Sequence, residues 1–103
     1  MHKENGPAVE LEDGTRKFYC HGRLHNLNNP ALERSDGSCF YYVHGRLHRD
    51  NNLPAVELAN GDCMYYQNGL LHRDGDLPAV ELTDGTRKWY KDGQLDRVEF
   101  WLV

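Results

Sequence analysis

The pair Pro-Ala recurs at Pro7-Ala8, Pro30-Ala31, Pro54-Ala55 and Pro78-Ala79, spaced 23, 24 and 24 residues apart. A period of that length marks a chain built from supersecondary units, each burying its faces only against its neighbours. Six residues after each proline stands Asp13, Asp36, Asn60 or Asp84, followed by Gly14, Gly37, Gly61 or Gly85. Eight residues further on comes a second glycine, at Gly22, Gly45, Gly69 and Gly93. Between the glycines lie the aromatic pairs Phe18-Tyr19, Tyr41-Tyr42, Tyr65-Tyr66 and Trp89-Tyr90. Each unit closes on Leu24-His25, Leu47-His48, Leu71-His72 or, in altered form, Leu95-Asp96, and His2 looks like the tail of a truncated copy. Four units follow, at approximately 2–24, 25–47, 48–71 and 72–95 within residues 1–96. The aromatic segment 97–103 reads as a C-terminal capping strand, which an open sheet edge needs.

Asp-Gly and Asn-Gly between alternating segments are strong hairpin signals. Ala-Val-Glu-Leu alternates, the aromatic pairs favour strands, and no twelve-residue stretch has a helical period. The expected fold is an all-β, antiparallel β-hairpin array, either a single layer or a curled meander. Two-residue loops at both turns would place Val9 opposite Phe18, Leu32 opposite Tyr41, Val56 opposite Tyr65 and Val80 opposite Trp89. The same register sets Glu10 against Lys17 and Glu81 against Lys88. His25, His48 and His72 then fall beside Phe18, Tyr41 and Tyr65, while Tyr19, Tyr42, Tyr66 and Tyr90 join Leu24, Leu47, Leu71 and Leu95 on the other face. The middle units carry Cys39-Phe40 and Cys63-Met64 where the outer ones carry Arg16-Lys17 and Arg87-Lys88. Apolar centres with charged ends suit units that stack.

Units of the form Leu-His-Arg-Asp-x-x-Leu-Pro-Ala-Val-Glu-x-x-Asp-Gly-x-x-x-Tyr-Tyr-x-x-Gly resemble the MORN-like repeats (membrane occupation and recognition nexus). The resemblance spans residues 2–96 and is nearest to the variant in bacterial antitoxin-like, phage and giant-virus proteins. It departs from the standard repeat in having fewer glycines and only a loose match to the Tyr-x-Gly core. It implies a hairpin solenoid that contacts proteins, sometimes lipids, without enzyme chemistry.

The bulk composition narrows the function classes. Twelve basic and 16 acidic residues give a net charge of −4, which argues against binding a phosphate backbone and disfavours anionic lipid. No apolar run reaches a transmembrane length, and the N-terminus lacks a signal-peptide pattern. Three cysteines are too few, and odd in number, for a disulfide framework, so a reducing cytoplasm, of a bacterium or an infected cell, fits best.

Candidate chemistry is sparse. His25, His48 and His72 recur at one position, but equivalent places in successive hairpins lie about 9–10 Å apart, too far to share one zinc. A histidine bonded to backbone and stacked on its aromatic neighbour is the plainer reading. The same distance separates Cys39 from Cys63, which read as buried small apolar residues rather than nucleophiles. The carboxylates Glu10, Glu33, Glu57 and Glu81 read as a solvated face. No cofactor is implied. The expectation is a non-catalytic protein-binding module, and the resemblance implies an inhibitor that occludes a bacterial toxin or defence protein. Contact residues would be Tyr19, Tyr42, Tyr66 and Tyr90, with Phe100 and Trp101 as an anchor. The alternatives are a structural protein that homodimerises through a sheet edge or the C-terminal segment, and a metal-dependent enzyme using the His/Cys set.

Overall fold

The computed structural model describes residues 8–26 and 29–100, and all fourteen regular elements in them are β-strands. His2 and Trp101 lie outside the described residues. The first hairpin joins β1 (Ala8–Glu10) to β2 (Arg16–Cys20), whose far end folds back on β3 (Arg23–Leu24). The second comprises β4 (Leu32–Glu33) and β5 (Cys39–Phe40), continued by the small pair β6 (Tyr42–Val43) and β7 (Arg46–Leu47). The third repeats this with β8 (Val56–Glu57), β9 (Cys63–Met64), β10 (Tyr66–Gln67) and β11 (Leu70–Leu71). The last consists of β12 (Val80–Glu81), β13 (Arg87–Lys91) and β14 (Gln94–Glu99). The main sheet runs β1-β2-β4-β5-β8-β9-β12-β13-β14, antiparallel throughout and, among the described residues, open at both edges, in a body 53 × 27 × 18 Å.

The two turns of each hairpin differ, and this shifts the register by one residue from the sequence expectation. At the second turn, His21-Gly22, His44-Gly45, Asn68-Gly69 and Asp92-Gly93 all have positive φ at both positions, the two-residue loop that matches strand twist. Tyr19 therefore faces Leu24, Tyr42 faces Leu47, Tyr66 faces Leu71 and Tyr90 faces Leu95. At the first turn only the glycine has positive φ. The amides of Leu11, Arg34, Leu58 and Leu82 bond across to Thr15, Ser38, Asp62 and Thr86, which closes a three-residue loop. The side chains of Asp13, Asp36, Asn60 and Asp84 stabilise that loop by accepting the N–H two residues on, at 2.8–2.9 Å. Consequently Val9 faces Lys17, not Phe18; Leu32 faces Phe40, not Tyr41; Val56 faces Met64, not Tyr65; Val80 faces Lys88, not Trp89. Glu10 and Glu81 face Arg16 and Arg87 rather than Lys17 and Lys88.

The corrected register sets two continuous rows across the main sheet. One face carries Val9, Lys17, Leu32, Phe40, Val56, Met64, Val80, Lys88 and Val98 in order. The other carries Glu10, Arg16, Glu33, Cys39, Glu57, Cys63, Glu81, Arg87 and Glu99. Every second member of the second row is a carboxylate, separated by Arg near the ends and Cys in the middle, so no two carboxylates oppose each other directly. Val56 and Val80 are buried in the apolar row, each burial contributing on the order of 1.5–3 kcal/mol.

The joints between hairpins explain the Pro-Ala pairs. Ala31, Ala55 and Ala79 are wholly buried, and each peptide bonds in two directions. Ala55 donates N–H to Met64 O within its own hairpin and accepts from Tyr41 N–H of the preceding one, at 2.9 and 2.7 Å. Ala31 and Ala79 do the same with Phe40 and Phe18, and with Lys88 and Tyr65. A larger side chain has no space there, and the preceding proline holds the chain extended for both bonds.

Candidate interaction surface

A second line of joints runs beside the main sheet, built from the closing Leu-His of each unit and the two-residue turn of the next. Leu24 O, Leu47 O and Leu71 O accept the N–H of Gly45, Gly69 and Gly93 at 2.8–2.9 Å. One residue on, the Nδ1 atoms of His25, His48 and His72 accept the N–H of His44, Asn68 and Asp92 at 3.0–3.1 Å. Accepting at Nδ1 puts the ring proton on Nε2, which in His48 and His72 donates to Asp50 and Asp74 at 2.7 Å. The three histidines are thus inter-hairpin clamps bonded to backbone. They do not stack on Phe18, Tyr41 and Tyr65 as the sequence suggests, because Arg49 and Arg73 take that place on the tyrosines and Arg16 lies 5.3 Å over the Phe18 ring.

Arg49 lies 3.7 Å over the Tyr41 ring, Arg73 3.7 Å over Tyr65, and Arg97 4.0 Å over Trp89. Arg49 and Arg73 also donate to the carbonyls of Pro54 and Pro78, and to Glu57 and Glu81 at 3.3 and 3.4 Å. Glu81 accepts a further bond from the Tyr65 hydroxyl. Glu57 and Glu81, two of the four carboxylates read as a solvated row, are therefore ion-paired parts of the joints, and a third, Glu33, lies 3.9 Å from Arg16 of the preceding hairpin. At the first joint Asn26 holds the arginine's position, and its side-chain amide donates to the Pro30 carbonyl at 3.4 Å. The Leu-His-Arg motif is legible in the sequence but this Arg–Tyr–Glu assembly is not, its one signal there being the recurrence of arginine after histidine.

Between the joint loops the face opens into two equivalent grooves. The smaller, about 240 Å³, is lined by Tyr41, Val43, His48, Arg49 and Asn51 among others. The larger, about 390 Å³, is lined by Tyr65, Gln67, His72, Arg73, Asp74 and the loop 50–53. A His–Asp pair stands in each, but no serine, threonine or cysteine lines either one. Burial first, then Glu33 and Glu57, pushes the half-buried Cys39 thiol up; burial, Glu57 and Glu81 do the same to Cys63. Raised thiols stay protonated at neutral pH and are poor nucleophiles. Among the described residues no group of three or more His, Cys, Asp or Glu side chains is placed to hold a metal ion.

The face with Tyr19, Tyr42, Tyr66 and Tyr90 is the opposite one. All four rings are half-buried against the leucines across from them. Burial raises the Tyr66 hydroxyl pKa, with the Tyr42 and Tyr90 phenols adding to the effect, so the three form a contiguous row. Leu70 and Leu95 are about half exposed at its margin, and Phe100 is 68% exposed beyond the last strand. Compared with known protein families, curated proteins and solved structures, the chain matches none. Among the described residues no helix is long and apolar enough to cross a membrane.

His25 gives the first prediction. It is buried, its ring centroid is 4.8 Å from that of His44, and burial, then His44 and His21, lowers its pKa. Protonation would remove the Nδ1 acceptor that holds the first joint. The folded state thus prefers the neutral ring, while the unfolded chain takes up a proton near pH ~6.5. Stability is fully present above that value and is lost as pH falls from it towards the lower folded pKa. Thermal unfolding should show wild type losing Tm below pH ~6.5 more steeply than His25→Asn, whose amide oxygen accepts the same bond without titrating. Parallel pH profiles would show that the clamp does not control stability.

Proposed function

We propose that the chain is a non-catalytic protein-binding module of the MORN-like type, acting by covering a partner's surface. The observation that carries this reading is how the repeated side chains are shared out. His48, His72, Arg49, Arg73, Glu57 and Glu81 of the middle hairpins are engaged in holding one hairpin to the next, which leaves little for chemistry. The tyrosine–leucine face keeps its rings at the surface and is not so committed. Tyrosine suits that task because it supplies contact area at a low entropic cost. The 53 Å length gives a row of equivalent contacts rather than one cavity. By resemblance alone, the partner class is a bacterial toxin or defence protein, met in the cytoplasm of a bacterium or infected cell.

The test is capture from a source-cell lysate on immobilised wild type, Tyr42→Ala and Tyr66→Ala, each checked for fold by circular dichroism. A protein retained specifically by wild type should bind each folded variant at least about tenfold more weakly, roughly 1.4 kcal/mol per substitution. Equal binding by all three would remove the tyrosine face from the proposal, and absence of any specific partner would remove the module.

A further inference from the structure

The last strand, β14, is paired with β13 on one side only, and among the described residues nothing pairs with its other edge. The hydrogen-bond phase of that edge follows from the ladder. Leu82 N–H bonds to Thr86 O across the first turn, so Leu82 and Val80 point their backbone groups at β13, and Thr86 and Lys88 point theirs at β12. Arg87 and Trp89 then bond towards β14, through its residues Glu99 and Arg97. Val98, between them, directs its N–H and C=O outward.

We propose that this edge binds the same edge of a second copy, antiparallel and centred on Val98, to give a two-fold dimer with one continuous sheet. Three features of the strand select that occupant. Val98 meets the partner's Val98, which sets an apolar pair on the axis between the Lys88 of each copy and continues the row that begins at Val9. On the other face Arg97 meets the partner's Glu99, and Glu99 the partner's Arg97. With the Arg97–Glu99 contact already present within each strand at 3.7 Å, the four groups alternate in sign around the axis. Opposite charges directly across an antiparallel pair stabilise it, and like charges do the reverse. Finally, Phe100, 68% exposed, lies on the Val98 side and comes within reach of the partner's Val98 on the diagonal.

The opposite edge does not fit this strand. In β1, Val9 and Leu11 bond towards β2, so Ala8 and Glu10 face outward. Joining β1 of one copy to β14 of another would set Glu10 or Ala8 against Val98 and break both rows. Head-to-tail joining of copies through β14 and β1 is therefore disfavoured.

The dimer is independent of the tyrosine face, and its test uses different residues, so either can fail alone. Sedimentation equilibrium of the wild type from micromolar to millimolar concentration should give a monomer–dimer equilibrium. Arg97→Glu sets four carboxylates around the axis and Glu99→Arg sets four arginines there; each should weaken dimerisation at least about tenfold. Mixing the two variants restores Arg–Glu pairs, and a heterodimer of near wild-type strength should form. That rescue is something a misfolded variant cannot give. A wild type that stays monomeric throughout, variants that dimerise as well as wild type, or a mixture without rescue would each overturn the proposal.

Discussion

Trp89→Ala should lower stability by about 3–5 kcal/mol, the usual cost of emptying a buried tryptophan site. Trp89 is 8% exposed, the largest side chain in the buried set, and its Nε1–H donates to Asp76 O at 3.1 Å. Arg97 covers its ring. Asp76 lies in the last joint loop at φ 57°, a conformation that non-glycine residues adopt only when held there. The tryptophan therefore ties three parts of the final unit together: the joint loop, β13 and β14. Because each hairpin touches only its neighbours, the damage should be local. Amide exchange should accelerate along β13, β14 and the 74–77 loop while the Ala31 and Phe40 amides keep their protection. Trp89→Phe should lose only the hydrogen bond and part of the packing, about 1 kcal/mol. If Trp89→Ala destabilised all four hairpins equally, the unit-by-unit account of cooperativity would be wrong.

Strand content and hairpin order were legible in the sequence because Pro-Ala, the glycines and the aromatic pairs recur with almost no variation. The first-turn register was not, for a specific reason. Asp-Gly serves both a two-residue loop, where both residues take positive φ, and a three-residue loop, where only the glycine does. The residue after the glycine separates them. Thr15, Ser38, Asp62 and Thr86 each present an amide to the preceding Asp or Asn side chain, an arrangement that belongs to the longer loop. Ser38 and Asp62 also accept the N–H of Ala59 and Thr83 in the next hairpin, which accounts for polar residues at that position.

The joints were hidden by the same one-residue error, since a slip of one exchanges the faces of a strand. With Val56 set against Tyr65, nothing places Glu81 near both Tyr65 and Arg73. With the true pairing, Glu81 lies beside Cys63 on the face that carries Tyr65, and the arginine after His72 reaches both. The tyrosine–leucine pairing was legible because the second turn needs no such choice: His-Gly, Asn-Gly and Asp-Gly there all close in two residues.

Arg73→Ala carries the second large effect, about 2–3 kcal/mol, from the loss of a cation–π stack and of bonds to a charged donor. The Arg73 side chain is only 12% exposed. Its Nε donates to Asn52 Oδ1 at 2.8 Å, and Nη1 to Pro78 O at 3.0 Å, with Glu81 at 3.4 Å and the Tyr65 ring beneath. It therefore links the 50–53 loop of one joint to the proline of the next. Removing it uncovers Tyr65, leaves Glu81 with the tyrosine hydroxyl alone, and strips the Pro78 carbonyl of its side-chain donor. Arg73→Lys keeps the charge but cannot serve Asn52 and Pro78 through one planar fork, so it should recover less than half of the loss. Denaturant unfolding of wild type and both variants measures this directly. Full recovery by lysine would mean that charge alone holds the joint; equal loss in lysine and alanine would mean that the planar fork carries all of it.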